Sequence, residues 1–407
     1  MANEFTSECL EENALAHDVD QEKIRIHFLG GLGDACLIRK YPVILGNLSN
    51  IYDISSIGDI YTYKEFSDQS RIAGLLNIIK TLRLKGSLDQ KVESEIVSGL
   101  SNGKIRYFFM DSMNPIISDE FLSNMRKGDI VDISAPNKFH ILLARQVLEK
   151  SDANLIIEKP LSSSLEEIIE FEDYVSTLDL GGRVASDAEH YSHYPNVREY
   201  LHYFDKYISK YGIVKAVELY ILENENFVSR RNKDIIDIEK SGGGMWLDTG
   251  IHAIAFLRNL GAEINYKKDI RVNPSKLDDP EIKDEKYRET RMDVSFYING
   301  NSFSSDCNVN VLVGKDPRFQ KKKLFVIHHE SGRVELNMAD KSLCVYDNKN
   351  VVKEDKSFSR DAFYYVFTDL YECISEGKES FTSIGKAIKN VKDIFYIYER
   401  ANTLKVF

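Results

Sequence analysis

Lys159, Asp248 and His252 are the side chains whose types and spacing suit proton transfer and the holding of a developing charge. Lys159 follows the apolar run Asn154-Leu155-Ile156-Ile157 within Glu158-Lys159-Pro160, which puts it at the carboxyl edge of a buried strand. Open parallel sheets bind ligands in the crevice outside that edge, so Lys159 points into it. The bland alternative is a surface lysine, the common fate of this residue. Pro160 weighs against that by restricting the residue before it and fixing its angle to the crevice. Asp248 and His252 stand in Gly242-Gly243-Gly244-Met245-Trp246-Leu247-Asp248-Thr249-Gly250-Ile251-His252, a flexible glycine turn running into a helix that carries both on one face. A carboxylate beside an imidazole orients it and raises its basicity, which a general base near neutral pH needs; a helix-start Asp with a core His is the equal rival.

Glu189-His190-Tyr191-Ser192-His193-Tyr194 concentrates imidazole and phenol groups suited to a hydroxylated or phosphorylated ligand. Glu189, His190, Tyr191 and His193 are therefore candidate substrate contacts, against the plain reading of amphipathic residues at a domain junction. Arg230-Arg231 and the run Lys321-Lys322-Lys323 read as solvated charge, with Arg230, lying between a strand and the glycine turn, the best candidate for a substrate contact among them. No His-x-x-x-His or Cys-x-x-Cys pair accompanies these residues, so no metal is expected.

The strand Ile24-Arg25-Ile26-His27-Phe28-Leu29 leads into Gly30-Gly31-Leu32-Gly33-Asp34 and then a helical stretch. Such a turn lets the backbone approach a pyrophosphate, with free N–H groups of the helix start facing the anion. Cys36 stands where the strict fingerprint has Gly or Ala. The acid that bonds the ribose belongs about twenty residues on, and both Asp53 and Asp59 qualify. An acid there repels the 2′-phosphate of NADP and slightly favours NAD, although Lys64 and Arg71 lie nearby.

Strands and helices alternate from residue 23 to about 160 and imply a parallel sheet with right-handed crossovers, carrying a helical insertion near 62–104. Beyond 160 the pattern becomes strand-rich, from Lys215–Leu222 to Leu343–Tyr346, with turns such as Asn299-Gly300-Asn301. The expected class is α/β: an N-terminal Rossmann doubly wound parallel sheet (23–160), then an α/β domain with a large open, mostly antiparallel sheet (161–358). Amphipathic helices (359–407) pack back across both, and residues 1–22 form an acidic, flexible start.

The 407 residues carry a net charge of -11 spread over both signs, which gives no reason to expect nucleic acid or an anionic membrane as partner. Neither a signal peptide nor a membrane span is visible, and five scattered cysteines suit a reduced compartment, so the expected location is cytoplasmic.

Taken together, Ser134-Ala135-Pro136-Asn137-x-x-His140, Glu158-Lys159-Pro160 and Gly243-Gly244-x-x-x-Asp248-x-Gly250-x-His252 resemble the Gfo/Idh/MocA family of NAD(P)-dependent oxidoreductases. The resemblance covers nearly all of the chain from about residue 23. It implies a cofactor held by Ser134, Ala135, Pro136, Asn137, His140 and Glu158 beside the glycine turn. It also implies a catalytic or substrate-positioning Lys159, with Asp248 and His252 completing the acid/base group, and a homodimer or homotetramer. A second likeness, to glucose-6-phosphate dehydrogenase, rests on Gly30 to Asp34 with Arg39 and Pro42 and on Glu189-His190-Tyr191, and suggests a sugar phosphate. Glu189, Arg39 and the region around Asn259-Leu260 depart from that enzyme. The resulting expectation is oxidation of a hydroxyl of a sugar, sugar phosphate or cyclic polyol, with His252 as base, Asp248 orienting it and Lys159 on the reacting oxygen. The alternatives are a reductase of a C=N or C=C bond and a non-catalytic cofactor-sensing regulator.

Overall fold

A computed structural model describes residues 22–33, 35–59, 90–111, 114–224, 233, 235–277, 282 and 285–400. Asp34, Arg230 and Arg231, and most of the expected insertion, lie outside them. Six strands, β1 (Ile24–Leu29), β2 (Tyr52–Asp59), β3 (Arg106–Phe109), β4 (Ile130–Ile133), β5 (Asn154–Ile157) and β6 (Ala185–Asp187), form one sheet in the order β3-β2-β1-β4-β5-β6. Every pairing is parallel. Strands β4 and β5 are buried along their whole length, which is why their sequences read as continuous apolar runs rather than alternations. The strand order reverses between β1 and β4, and the crevice at that switch point takes ligands in such sheets.

The parallel sheet does not close near residue 160. The helix Leu165–Thr177, capped by Ser164, returns the chain to β6, which pairs with β5 through Ile157 and Asp187. Its three-residue strand is too short to show periodicity.

The second sheet has nine strands: β7 (Val214–Glu223), β8 (Glu263–Ile264), β9 (Arg271–Ser275), β10 (Arg291–Asn299), β11 (Phe303–Lys315), β12 (Lys322–His329), β13 (Gly332–Asn337), β14 (Ser342–Asp347) and β15 (Val352–Ser357). Their order is β15-β14-β13-β12-β7-β11-β10-β8, with β9 on β10, and all pairs are antiparallel except β7 with β11. Strands β8, β9 and β15 go beyond those read from the sequence; β15 is mostly charged and hides its period. Burial alternates along β10, so one face of this sheet carries the core.

Two C-terminal helices tie the sheets together. Helix Ala362–Glu376, capped by Asp361 on Phe363 N, sends Phe363, Val366, Phe367 and Leu370 into the core around Ile26, Phe28 and Ile54. Helix Ile384–Arg400 buries Ile384, Ile388, Val391 and Ile394 in the core of the second sheet, where the Trp246 indole donates to Ile394 O. No described helix is long and apolar enough to cross a membrane.

Candidate functional site

The turn after β1 is shaped by its own glycines. Gly30 has φ +80°, and a Cβ there would lie 2.5 Å from Ala135 N; one on Gly31 would lie 2.7 Å from the Tyr41 hydroxyl. Gly33 differs, because its nearest neighbours would be Gly30 O at 3.4 Å and Ser134 O at 3.9 Å. The space above Gly33 is open toward the switch point, where a pyrophosphate needs close backbone approach. Leu32 buries its side chain and donates its N–H to Asp59 Oδ2 at 2.8 Å. Cys36 is fully buried in the wide helical turn Ala35–Lys40 that follows.

Of the two ribose acids, Asp59 closes β2 at the crevice edge. Asp53 lies near the opposite end of the strand, away from the crevice edge, paired with Lys23 at 3.8 Å and Lys104 at 3.2 Å. His140 is also corrected. Its Nδ1 contacts Pro160 O at 2.9 Å and its Nε2 contacts Ala135 O at 2.7 Å, so it braces two loops from behind and offers no atom to a ligand. Asn137 donates to Ser241 O at 2.9 Å, joining the Ser134–Asn137 loop to the glycine turn before Asp248. That turn is packed rather than flexible: a Cβ on Gly244 would strike the Glu289 carboxylate at 2.4 Å.

Beneath the crevice is a fully buried ammonium that sequence reasoning missed. Lys40 Nζ reaches both oxygens of Asp132 at 2.9 and 2.8 Å, Ser134 Oγ at 2.8 Å and Glu158 Oε1 at 2.8 Å. Burial alone would lower its pKa, but Asp132 and Glu158 drive it above the ordinary lysine value. Glu158, drawn down by Lys40 against the opposing effect of burial, stays ionised next to Lys159.

Lys159, whose bond to Pro160 is cis, donates to Asp248 O at 2.6 Å and Asp248 Oδ1 at 2.9 Å. Burial would raise the Asp248 pKa, but Lys159 and Lys315 hold it well below the usual carboxylate range. Asp248 is thus the partner of Lys159 and does not orient His252. The carboxylate on His252 Nδ1 is Glu189 Oε2. Glu189 Oε1 in turn accepts from Tyr191 N at 2.8 Å and Ser192 N at 3.3 Å, so the carboxylate cannot rotate. The sequence separation between Glu189 and His252 hid this pairing; only the fold brings them together.

Burial keeps the His252 pKa below its usual value even though Glu189 raises it, which favours the neutral ring. With Nδ1–H committed to Glu189, the lone pair sits on Nε2, and no described residue bonds that atom. Tyr191 stacks on the imidazole with ring centroids 3.9 Å apart. His190 packs at 5.1 Å from His252 and lies flat on Phe363. His193 turns away from His252: its Nδ1 meets Glu189 O at 3.0 Å and its Nε2 faces Asp369 at 3.6 Å.

Lys323 overturns the reading of its run as solvated charge. It sits on the inner face of β12, 15% exposed, 2.7 Å from Glu223 and 5.4 Å from the centre of the Tyr191 ring. Its neighbour Lys322 lies over Tyr220. The signal was parity: Lys323 shares its face with Phe325 and Ile327, both fully buried.

No family model and no curated protein matches the chain. Solved structures do match. UDP-N-acetylglucosamine 3-dehydrogenase from Acidithiobacillus ferrooxidans superposes with a TM-score of 0.64 at 14% identity, covering 94% of this chain and 99% of that one. Levoglucosan dehydrogenase in complex with NADH and levoglucosan gives 0.67 at 15% identity, over 94% and 98%. Aldose-aldose oxidoreductase from Caulobacter crescentus complexed with glycerol gives 0.65 at 16% identity, over 94% and 98%. The chain shares the fold of these oxidoreductases. The likeness of its front half to glucose-6-phosphate dehydrogenase finds no support in these comparisons.

Proposed function

We propose that the chain is an NAD(P)-dependent oxidoreductase acting on a hydroxyl group of a sugar or cyclic polyol, phosphorylated or not. The carrying observation is the Glu189–His252 pair, which leaves His252 Nε2 as a neutral acceptor beside Lys159 and Asp248 at the carboxyl edge of the parallel sheet. The likeness to sugar-handling oxidoreductases supports the same reading.

The dinucleotide fits the turn Gly30 to Gly33, with Asp59 at the ribose position and Ser134, Ala135, Pro136 and Glu158 lining the opposite wall. Asp59 favours NAD over NADP through charge repulsion with a 2′-phosphate. When bound, nicotinamide supplies the acceptor for the hydride that leaves the substrate carbon. His252 Nε2 takes the hydroxyl proton, and Glu189 stabilises the imidazolium that results. Lys159 has three N–H donors, of which Asp248 takes two; the third bonds the reacting oxygen and stabilises its growing negative charge. Asp248 keeps that ammonium in place.

A cofactor-reduction screen with NAD and NADP against sugars, sugar phosphates, nucleotide sugars and inositols tests the reading, alongside calorimetric titration of each dinucleotide. The expected result is turnover with one substrate class that His252→Ala and Lys159→Ala each lower by about 10²–10⁴-fold without weakening dinucleotide binding. Tight cofactor binding with no reduction across the panel would point instead to a cofactor sensor.

A further inference from the structure

Three charged side chains interrupt the apolar inner face of the second sheet at one end. Along β11, Val309, Val311 and Val313 are fully buried and the next inward position is Lys315; along β7, Leu219 and Ile221 are followed by Glu223. On β12 the first inward position is Lys323, paired with Ile221, one inward step along from Glu223. The strands are neighbours in the order β12-β7-β11, and register sets Lys315 directly against Glu223. Lys315 Nζ lies 3.2 Å and Lys323 Nζ 2.7 Å from the Glu223 carboxylate.

Ionised groups at the margin of a core cost several kcal/mol in desolvation, and aliphatic side chains at these positions would continue the packing. Packing alone is therefore a poor reason for the cluster. Its setting is a better one. Lys323 lies over Tyr191, and Tyr191 stacks on the proposed base His252. His190, 8% exposed and packed on both rings, has a buried Nδ1 with no partner among the described residues. Its pKa is held well below the usual value by burial and then by His252 and the cationic Arg39, Lys159 and Lys323. Lysine offers donors only, so two ammonium groups converging on one carboxylate suit a ligand group that only accepts.

Building on the function proposed above, we propose that the substrate carries an oxyanion, a phosphate ester or a carboxylate, received by Lys323 and Lys315 beside Tyr191. Glu223 holds the two ammonium groups in place until the oxyanion arrives and shares them.

The test uses NAD(P)-saturated protein, so that the pyrophosphate site is filled, and matched substrates: a sugar or inositol with and without phosphate, and an aldose against its uronic acid. One charge-assisted contact is worth about 10–10²-fold, so kcat/KM should favour the anionic member by that factor. The two pairs distinguish phosphate from carboxylate. Lys323→Met should erase most of the preference, and Lys323→Arg should restore part of it. Inorganic phosphate should bind the cofactor-loaded protein in calorimetric titration, with affinity falling by a similar factor in Lys323→Met. Equal use of neutral and anionic members, or a preference unchanged in Lys323→Met, overturns the proposal. If no substrate of any class turns over, the function above fails, and the phosphate titration alone decides this inference: binding lost in Lys323→Met sustains it, and no binding removes it.

Discussion

Glu189→Gln separates the two carboxylates that compete for the role of orienting His252. Glu189 Oε1 accepts from Tyr191 N at 2.8 Å and Ser192 N at 3.3 Å, so a glutamine must place its carbonyl oxygen there. Its NH2 group then occupies the Oε2 position and faces His252 Nδ1. Two donors cannot share that contact, so Nδ1 becomes the acceptor and the imidazole proton moves to Nε2. The base is then protonated at the atom that must accept. Loss of general-base assistance costs about 10²–10⁴-fold in kcat. Asp248→Asn leaves the 2.6 Å bond from Lys159 to the backbone carbonyl and weakens only the 2.9 Å contact to the side chain. Its cost should be about 10-fold, the low end for one charge-assisted hydrogen bond, because the backbone contact remains. The assay is the steady-state rate of nicotinamide reduction with the best substrate, with thermal melts to confirm folding. Because the His252 pKa lies below its usual value, the wild-type rate should stay flat to below pH 6.5 before falling with acid. Near-wild-type turnover in Glu189→Gln, or a larger loss in Asp248→Asn, would refute the assignment.

Other outcomes follow from the same geometry. Gly33→Ala should fold normally and weaken dinucleotide binding, whereas Gly30→Ala, with backbone 2.5 Å from the new Cβ and φ +80°, should lower the melting temperature; equal behaviour of the two would remove the cradle. Lys40→Met strands the buried carboxylates of Asp132 and Glu158 and should cost about 3–5 kcal/mol in urea unfolding, a loss that Asp132→Asn should partly relieve. Burial would raise the Glu223 pKa, but Lys315 and Lys323 bring it from 4.5 to about 2. Its contribution, on the order of 3 kcal/mol, is full above the unfolded value and lost as pH falls toward about 2. The stability gap between wild type and Glu223→Gln should therefore shrink with acid, and a gap that ignores pH would contradict the ion triad.

Local pattern was enough for five of the six parallel strands, the glycine turn, the position of Lys159 after β5 and the paired C-terminal helices, because periodicity and strand-edge chemistry are written in neighbouring residues. The mostly antiparallel second sheet was legible for the same reason. Partnership was not. His252 found Glu189, 63 residues away in sequence, rather than Asp248. Lys40 closed on Asp132 and Glu158 from a helix whose own sequence gives no sign that its lysine is buried. Lys323 left a run of like charges because strand parity turned it inward. Hydrophobic burial, set by local composition, decides which elements form; which charges meet depends on where strand order and register bring distant edges together, and that belongs to the tertiary structure alone.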